Sequence, residues 1–265
     1  SNNTAVGYTA GNSVTTGTYN SFLGAAAGLN VTTGANNTAV GALALESTTV
    51  GTNNVAVGQA SLFENILGSK SIAVGRGTLQ NQNYTTATDA FNTAVGHEAG
   101  NDVTTGTNNT LIGGTAGDAL TVGGSNVAVG YTALGADTKG FNSVAIGQNA
   151  LATQNFTTNT DAYNVAIGSL AGRYLTTGIN NTLIGAGAGD ALTDADYNIS
   201  VGGFALSADT LGSRATAIGF GALNAQNFTT ATDNYNTAVG YYAGTAVTTG
   251  AQNTFVGGQA GDGTD

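Results

Sequence analysis

Apolar positions in this chain recur in pairs ahead of a glycine. In Asn3-Thr4-Ala5-Val6-Gly7 a β-branched residue and an aliphatic one stand two apart, and the arrangement returns fifteen times, closing on Gly7, Gly24, Gly41, Gly58, Gly75, Gly96 and so on to Gly257. All fifteen glycines follow Val, Ile or Leu, and fourteen of the fifteen residues three places before the glycine are β-branched, Ser21 being the departure. Branched side chains at period two predict a short strand with one buried face. The glycine predicts a tight corner. Three residues further on stands Ala in thirteen of the fifteen units, followed by Gly (Gly11, Gly28) or Leu (Leu45, Leu62) in blocks. A Thr-rich segment such as Val14-Thr15-Thr16 comes next and closes on a second glycine, Gly17 in the first unit.

Successive corner glycines lie 17 residues apart, as Gly7 and Gly24 do, with steps of 21 after Gly75, Gly147 and Gly219. Three short units and one long one therefore make a superperiod, which carries Gly75 onto Gly147 and Gly147 onto Gly219. Such regularity overrides the usual inference from length. Each unit predicts one turn of an all-β, parallel β-solenoid (a β-roll) with two short strands and two glycine corners. Residues 1–265 then form one continuous repeat domain of about fifteen turns, a rod roughly 70 Å long at the inter-strand spacing. Twelve units begin on Asn: Asn3, Asn20, Asn37, Asn54, Asn92, Asn109, Asn126, Asn164, Asn181, Asn198, Asn236 and Asn253. Stacked in register these would form a ladder, each amide within reach of adjacent turns; a turn-forming role at the strand start explains the same Asn. The long units carry Gln82-Asn83-Tyr84, Gln154-Asn155-Phe156 and Gln226-Asn227-Phe228. Each continues to an acid and an aromatic: Asp89 and Phe91, Asp161 and Tyr163, Asp233 and Tyr235. Their extra four residues are expected to bulge from one side every fourth turn.

Composition narrows the functional classes. Glycine reaches 42 residues, yet it does not recur every third position and proline is absent, which excludes collagen. Regularly spaced aliphatics with only 8% charged residues argue against disorder. A net charge of -10 disfavours nucleic-acid partners. Without cysteine there are no disulfides or thiolate metal sites. The chain enters a repeat at Ser1 with no signal peptide in view. No apolar run approaches the roughly 20 residues needed to cross a bilayer, so direct membrane insertion is not expected.

Catalytic constellations are scarce. His97 is the single histidine, and an exposed loop position explains it better than a triad. Gly185-Ala186-Gly187-Ala188-Gly189 imitates a nucleotide loop but lacks the following lysine. Asp118, Asp190 and Asp262 recur after Ala-Gly, without the glycine pattern of calcium-binding nonapeptides. The chain is therefore read as a non-enzyme with no cofactor and no metal. The surface contact candidates, for glycans above all, are Tyr84, Asp89, Phe91, Phe156, Asp161, Tyr163, Phe228, Asp233 and Tyr235, since aromatic faces beside amides and carboxylates hold sugars. Loop aromatics tucked against the rod are the plainer alternative. Sequons at Asn36-Asn37-Thr38, Asn108-Asn109-Thr110 and Asn180-Asn181-Thr182 offer glycan acceptors, although a repeated Asn-Asn-Thr generates them automatically.

Ser143-Val144-Ala145-Ile146-Gly147-Gln148-Asn149-Ala150 resembles the head repeat of YadA-like trimeric autotransporter adhesins. Asn92-Thr93-Ala94-Val95-Gly96, with Ala99-Gly100 and Thr104-Thr105-Gly106 behind it, is similar to repeats of phage and bacterial tail-fibre-domain proteins. The resemblance spans the whole chain. It implies a left-handed parallel roll, three chains wound side by side, and a place outside the cell, on a cell surface or on a virion. Both unit lengths depart from the shorter repeat usual in adhesin heads.

The function expected from these features is a structural and adhesive extracellular fibre segment, either a phage tail-fibre shaft or a bacterial surface adhesin serving cell adhesion. Its partners would be further copies of itself and cell-surface glycans or a host receptor, engaged through repeated weak contacts. A subunit of a head-to-tail filament, glycan-decorated or not, is the alternative. An ice-binding solenoid ranks lower, because Ile66-Leu67, Thr138-Lys139 and Thr193-Asp194 interrupt the threonine pairs.

Overall fold

The computed structural model describes residues 2–263. It is all-β, with parallel strands stacked as a β-solenoid of about fifteen turns and no helix among the described residues. Two compact units are distinguished, residues 1–128 and 129–265. In the first unit the strands Thr4–Val6, Ser21–Leu23, Thr38–Val40, Val55–Val57, Ile72–Val74, Thr93–Val95 and Thr110–Ile112 pair in register, Thr4 beside Ser21 and Ala5 beside Phe22. In the second, Val144–Ile146, Val165–Ile167, Thr182–Ile184, Ile199–Val201, Thr216–Ile218, Thr237–Val239 and Thr254–Val256 do the same.

Period two leaves open which face of these strands turns into the chain, and in the structure the branched pair turns outward. The middle residue points inward: Ala39, Ala56, Ala73 and Ala145 are fully buried, while the branched residues on either side are half-buried or exposed. A turn this short encloses too little width for two branched side chains per strand, so the small residue goes in and the pair goes out. Backbone crowding is severe at the corners. A Cβ on Gly7 would lie 2.3 Å from the carbonyl oxygen of Gly24 in the next turn, and φ there is +140°.

The interior is filled by exchange of volume between two positions. Where the mid-strand residues of a turn and of the turn after it are both small, the second residue of the corner is a buried Leu: Ala39 with Leu45, Ala56 with Leu62, Ala145 with Leu151. Where the mid-strand residue is large, the corner is Gly in its own turn and in the turn before. The Phe22 ring approaches Gly28 and Gly11, Leu111 approaches Gly117 and Gly100, and Leu183 approaches Gly189 and Gly172.

The Thr-rich segment is not a second strand. It still stacks turn on turn: Thr15 N donates to Thr32 O at 3.0 Å, and the Thr15 hydroxyl donates to the same oxygen at 3.1 Å. Residues inserted in the long units stand outward: Thr85-Thr86-Ala87, Thr157-Thr158-Asn159 and Thr229-Thr230-Ala231 are all exposed. The chain then rejoins the stack as a two-residue strand paired in parallel with the preceding turn, Thr88–Asp89 on Gly68–Ser69, Thr160–Asp161 on Gly140–Phe141 and Thr232–Asp233 on Gly212–Ser213. Pairing satisfies backbone groups that a loose loop would leave to solvent.

Candidate functional site

The recurring asparagines line the inside of one corner. Asn20, Asn37, Asn54, Asn92, Asn109, Asn126, Asn164, Asn181, Asn198 and Asn236 are fully buried, and Asn3 and Asn253 are half-buried. Most reach one turn forward with both ends of the amide, whereas Asn253 bonds back to Asn236. Asn37 Nδ2 donates to Gly51 O at 2.8 Å, while its Oδ1 accepts from Asn54 N at 3.0 Å; its own N–H donates to Asn20 Oδ1 at 2.9 Å. The pattern repeats from Asn3 to Asn20 and from Asn164 through Asn181 to Asn198. Asparagine is suited to this place because one short side chain supplies a donor and an acceptor to two backbone groups of the next turn.

Three turns lack the asparagine, having Ser71, Ser143 or Ala215 instead. There a glutamine from the long unit takes part: Gln82 Oε1 accepts from Asn92 Nδ2 at 2.9 Å, Gln154 Oε1 from Asn164 at 2.9 Å, and Gln226 Oε1 from Asn236 at 2.7 Å. Gln154 Nε2 and Gln226 Nε2 each donate at 2.6 Å to a buried carboxylate, Asp137 and Asp209. Asn65 holds the equivalent place beside Gln82. Burial pushes the Asp137 carboxyl above its ordinary value, against the hydrogen bonds from Gln154, Phe156 and Gly140. The sequence reading missed this buried set; its signal was the recurrence of Asn65, Asp137 and Asp209 once per superperiod.

The long-unit candidates separate into two groups. Tyr84, Phe156 and Phe228 are buried, which corrects their reading as surface contacts: they are core residues of the widened turn. Tyr84 Oη donates to Gly106 O at 2.8 Å, and burial pushes its phenol up despite a hydrogen bond from Asn92. The second aromatics are on the outside. Phe91, Tyr163 and Tyr235 are about half exposed, at 52–53%, each at a corner with φ near +50°.

Beside these rings stand the predicted carboxylates, each already partnered from the preceding turn. Asp89 pairs with Lys70 at 2.6 Å, Asp161 accepts from Asn142 Nδ2 at 2.8 Å, and Asp233 pairs with Arg214 at 3.0 Å. The cations also cover rings: Lys70 Nζ lies 5.0 Å from the Phe91 centroid, and the Arg214 guanidinium lies 4.8 Å from Tyr197 and 6.0 Å from Tyr235. Acid, cation and aromatic thus fasten consecutive turns by cation–π and ionic contact.

Other singled-out residues have local roles. His97 is exposed, 3.4 Å from Arg76 Nη1 and 3.6 Å from Glu98. Asp118 and Asp190 are half-buried, and desolvation raises both carboxyls. No cluster of three metal-binding side chains occurs among the described residues. The second unit also bears an aromatic cluster outside the predicted set, Phe220 with Phe204, Tyr241 and Tyr242 at centroid distances of 5.5–5.9 Å. Its signal was aromatic residues directly after Gly219 and Gly240.

The outward face of the strands is uniform from turn to turn. Two residues per turn, such as Val55 and Val57 or Val144 and Ile146, make two columns, and none of the thirty positions is charged although the chain carries 5 basic and 15 acidic residues. Ile72, Val95, Ile112, Ile199 and Ile218 are all exposed there. No protein-family model matches the chain, and no curated protein or solved structure matches it.

Proposed function

We propose that this chain is a segment of a structural and adhesive extracellular fibre, a phage tail-fibre shaft or a bacterial surface adhesin, in which three copies of a left-handed roll pack along their outward strand faces. The observation that carries the reading is the uncharged, largely β-branched double column on the outside of the strands. A chain of net charge -10 can bring copies together without like-charge repulsion where acidic groups are missing, and they are missing from this face. Side chains that repeat once per turn also fit best against another surface of the same pitch, which a second copy supplies. The column next to the glycines is aliphatic in every turn, and exposed apolar surface marks association sites. The corners, with their half-exposed aromatics, then face outward to meet cell-surface glycans or a host receptor, weakly and many times over. In this reading the protein's work is mechanical and adhesive, with no catalytic step.

Charged substitutions on the face test it. Ile146→Glu with Ile167→Glu, both outward-facing, should convert the assembly into single chains that keep their β-type circular dichroism. Assemblies of unchanged size in that variant would overturn the reading.

A further inference from the structure

We propose that Asn36, Asn108 and Asn180 are N-glycan attachment sites, each with an aromatic bed for the first sugar on the neighbouring turn; the proposal rests on the extracellular reading. In each Asn-Asn-Thr the two asparagines have opposite fates. Asn37, Asn109 and Asn181 are buried and bonded in the ladder. The residue before each stands at the corner in the left-handed region, with φ of 57°, 61° and 58°. Asn36 and Asn108 are exposed and Asn180 is half-buried. Only this outer asparagine is two residues ahead of a threonine (Thr38, Thr110, Thr182), so the acceptor sequence falls on the side chain that can take a glycan. By contrast Asn198, which also heads a sequon with Ser200, is fully buried and donates to Gly212 O.

A second regularity points to a sugar. At the same corner one short unit before each acceptor stand Tyr19, Phe91 and Tyr163, with exposures of 62%, 52% and 53%. The two corners are tied together: Asn36 N donates to Thr18 O, Asn108 N to Ala90 O and Asn180 N to Ala162 O. The corner asparagines that do not head a sequon, Asn53 and Asn142, have Asn36 and Ser125 at that place instead of an aromatic. Lys70 reaches the Phe91 ring from the turn before it, and Asn108 stands on the turn after it. A pyranose joined to Asn108 would come to rest over an apolar ring, as sugars do on aromatic side chains. Asn36 and Asn108 are four turns apart, roughly 19 Å at the inter-strand spacing, so their glycans have room side by side.

The transfer joins Asn Nδ2 to the anomeric carbon of an oligosaccharide carried on a lipid pyrophosphate. The new C–N bond replaces the C–O bond to phosphate, the lipid pyrophosphate leaves, and Nδ2 gives up one proton. Further sequons at Asn30, Asn83, Asn155 and Asn227 lie away from this corner without such a bed and serve as internal controls.

The test is glycopeptide mass spectrometry on the full chain isolated from the cells that make it, with secretion measured on the same culture. The expected result is a glycan on Asn36, Asn108 and Asn180 and an unmodified Asn198. Tyr19→Ala and Phe91→Ala should lower occupancy several-fold at Asn36 and Asn108 respectively, leaving the other sites unchanged. A secreted but unmodified chain, modification confined to the control sequons, or occupancy indifferent to the ring substitutions overturns the proposal. An unmodified chain retained inside the cell overturns the extracellular reading with it.

Discussion

The Phe22 ring occupies the space that a side chain on Gly28 would need: a Cβ on Gly28 would lie 2.5 Å from ring atom Cε1. Three turns on, Ala73 and Leu79 reverse the sizes in the same two positions, and both are fully buried. Strain at positive φ does not by itself forbid a side chain at the corner, since Leu79 sits there at 49° and Gly28 at 60°. What matters is the volume shared by the two positions.

Exchange of that volume is therefore predicted to be compensatory. Phe22→Ala alone should cost about 3–5 kcal/mol through the cavity it leaves. Gly28→Leu alone should destabilise the chain by overpacking, about 1–3 kcal/mol or more. The double variant, which reproduces the Ala–Leu arrangement, should recover most of the loss. A double-mutant cycle in denaturant measures the coupling; additive losses would contradict shared packing.

The asparagine ladder makes a directional prediction. Asn109→Ala removes the acceptor of Asn126 N and the donor to Gly123 O, both in the following turn. Leaving those buried groups unpaired should cost about 2–5 kcal/mol. Asn253 is half-buried and its bonds run back to Asn236, so Asn253→Ala should cost under about 1 kcal/mol. Hydrogen exchange should show lost protection concentrated at Asn126 and its neighbours, because stacked repeats communicate with adjacent turns. Equal costs at the two sites would contradict the one-way ladder.

Asp137 gives a pH-dependent comparison. Its carboxyl is raised above the ordinary 3.8 chiefly by burial, so the native state holds the proton more tightly than the unfolded chain. Its contribution therefore improves as pH falls through the native pKa, and is least favourable at neutral pH. Asp137→Asn copies the Asn65 solution and removes the titration. The variant should melt higher than its parent near pH 7, and the gap should close on acidification. A gap that widens toward low pH would contradict the assigned direction.

Much of this architecture was legible in the sequence because each turn repeats the same constraints. The two unit lengths, the parallel strands and the all-β class followed from the glycine and Val/Ile positions. The inward face did not follow, because period two identifies a strand with two different faces without saying which is buried. Ala39 gave the answer only once the narrowness of the turn was known. Among the contact candidates, Phe91 and Tyr84 are aromatics of the same long unit with opposite burial. The bond from Tyr84 Oη to Gly106 O does not decide it, since Phe156 and Phe228 are buried at the same place without a hydroxyl. The Gly28–Phe22 complementarity was visible as two separate columns, but linking them required the stacking register.

The central claim is that the uncharged outward face joins copies of the chain, and the molar mass in solution tests it most directly. Light scattering after size exclusion should give a discrete species close to three times 25.9 kDa, unchanged on dilution. A stable single-chain mass would contradict the fibre assembly and leave the outward face free for another surface, ice included. Open-ended growth with concentration would contradict the closed trimer and identify a filament subunit.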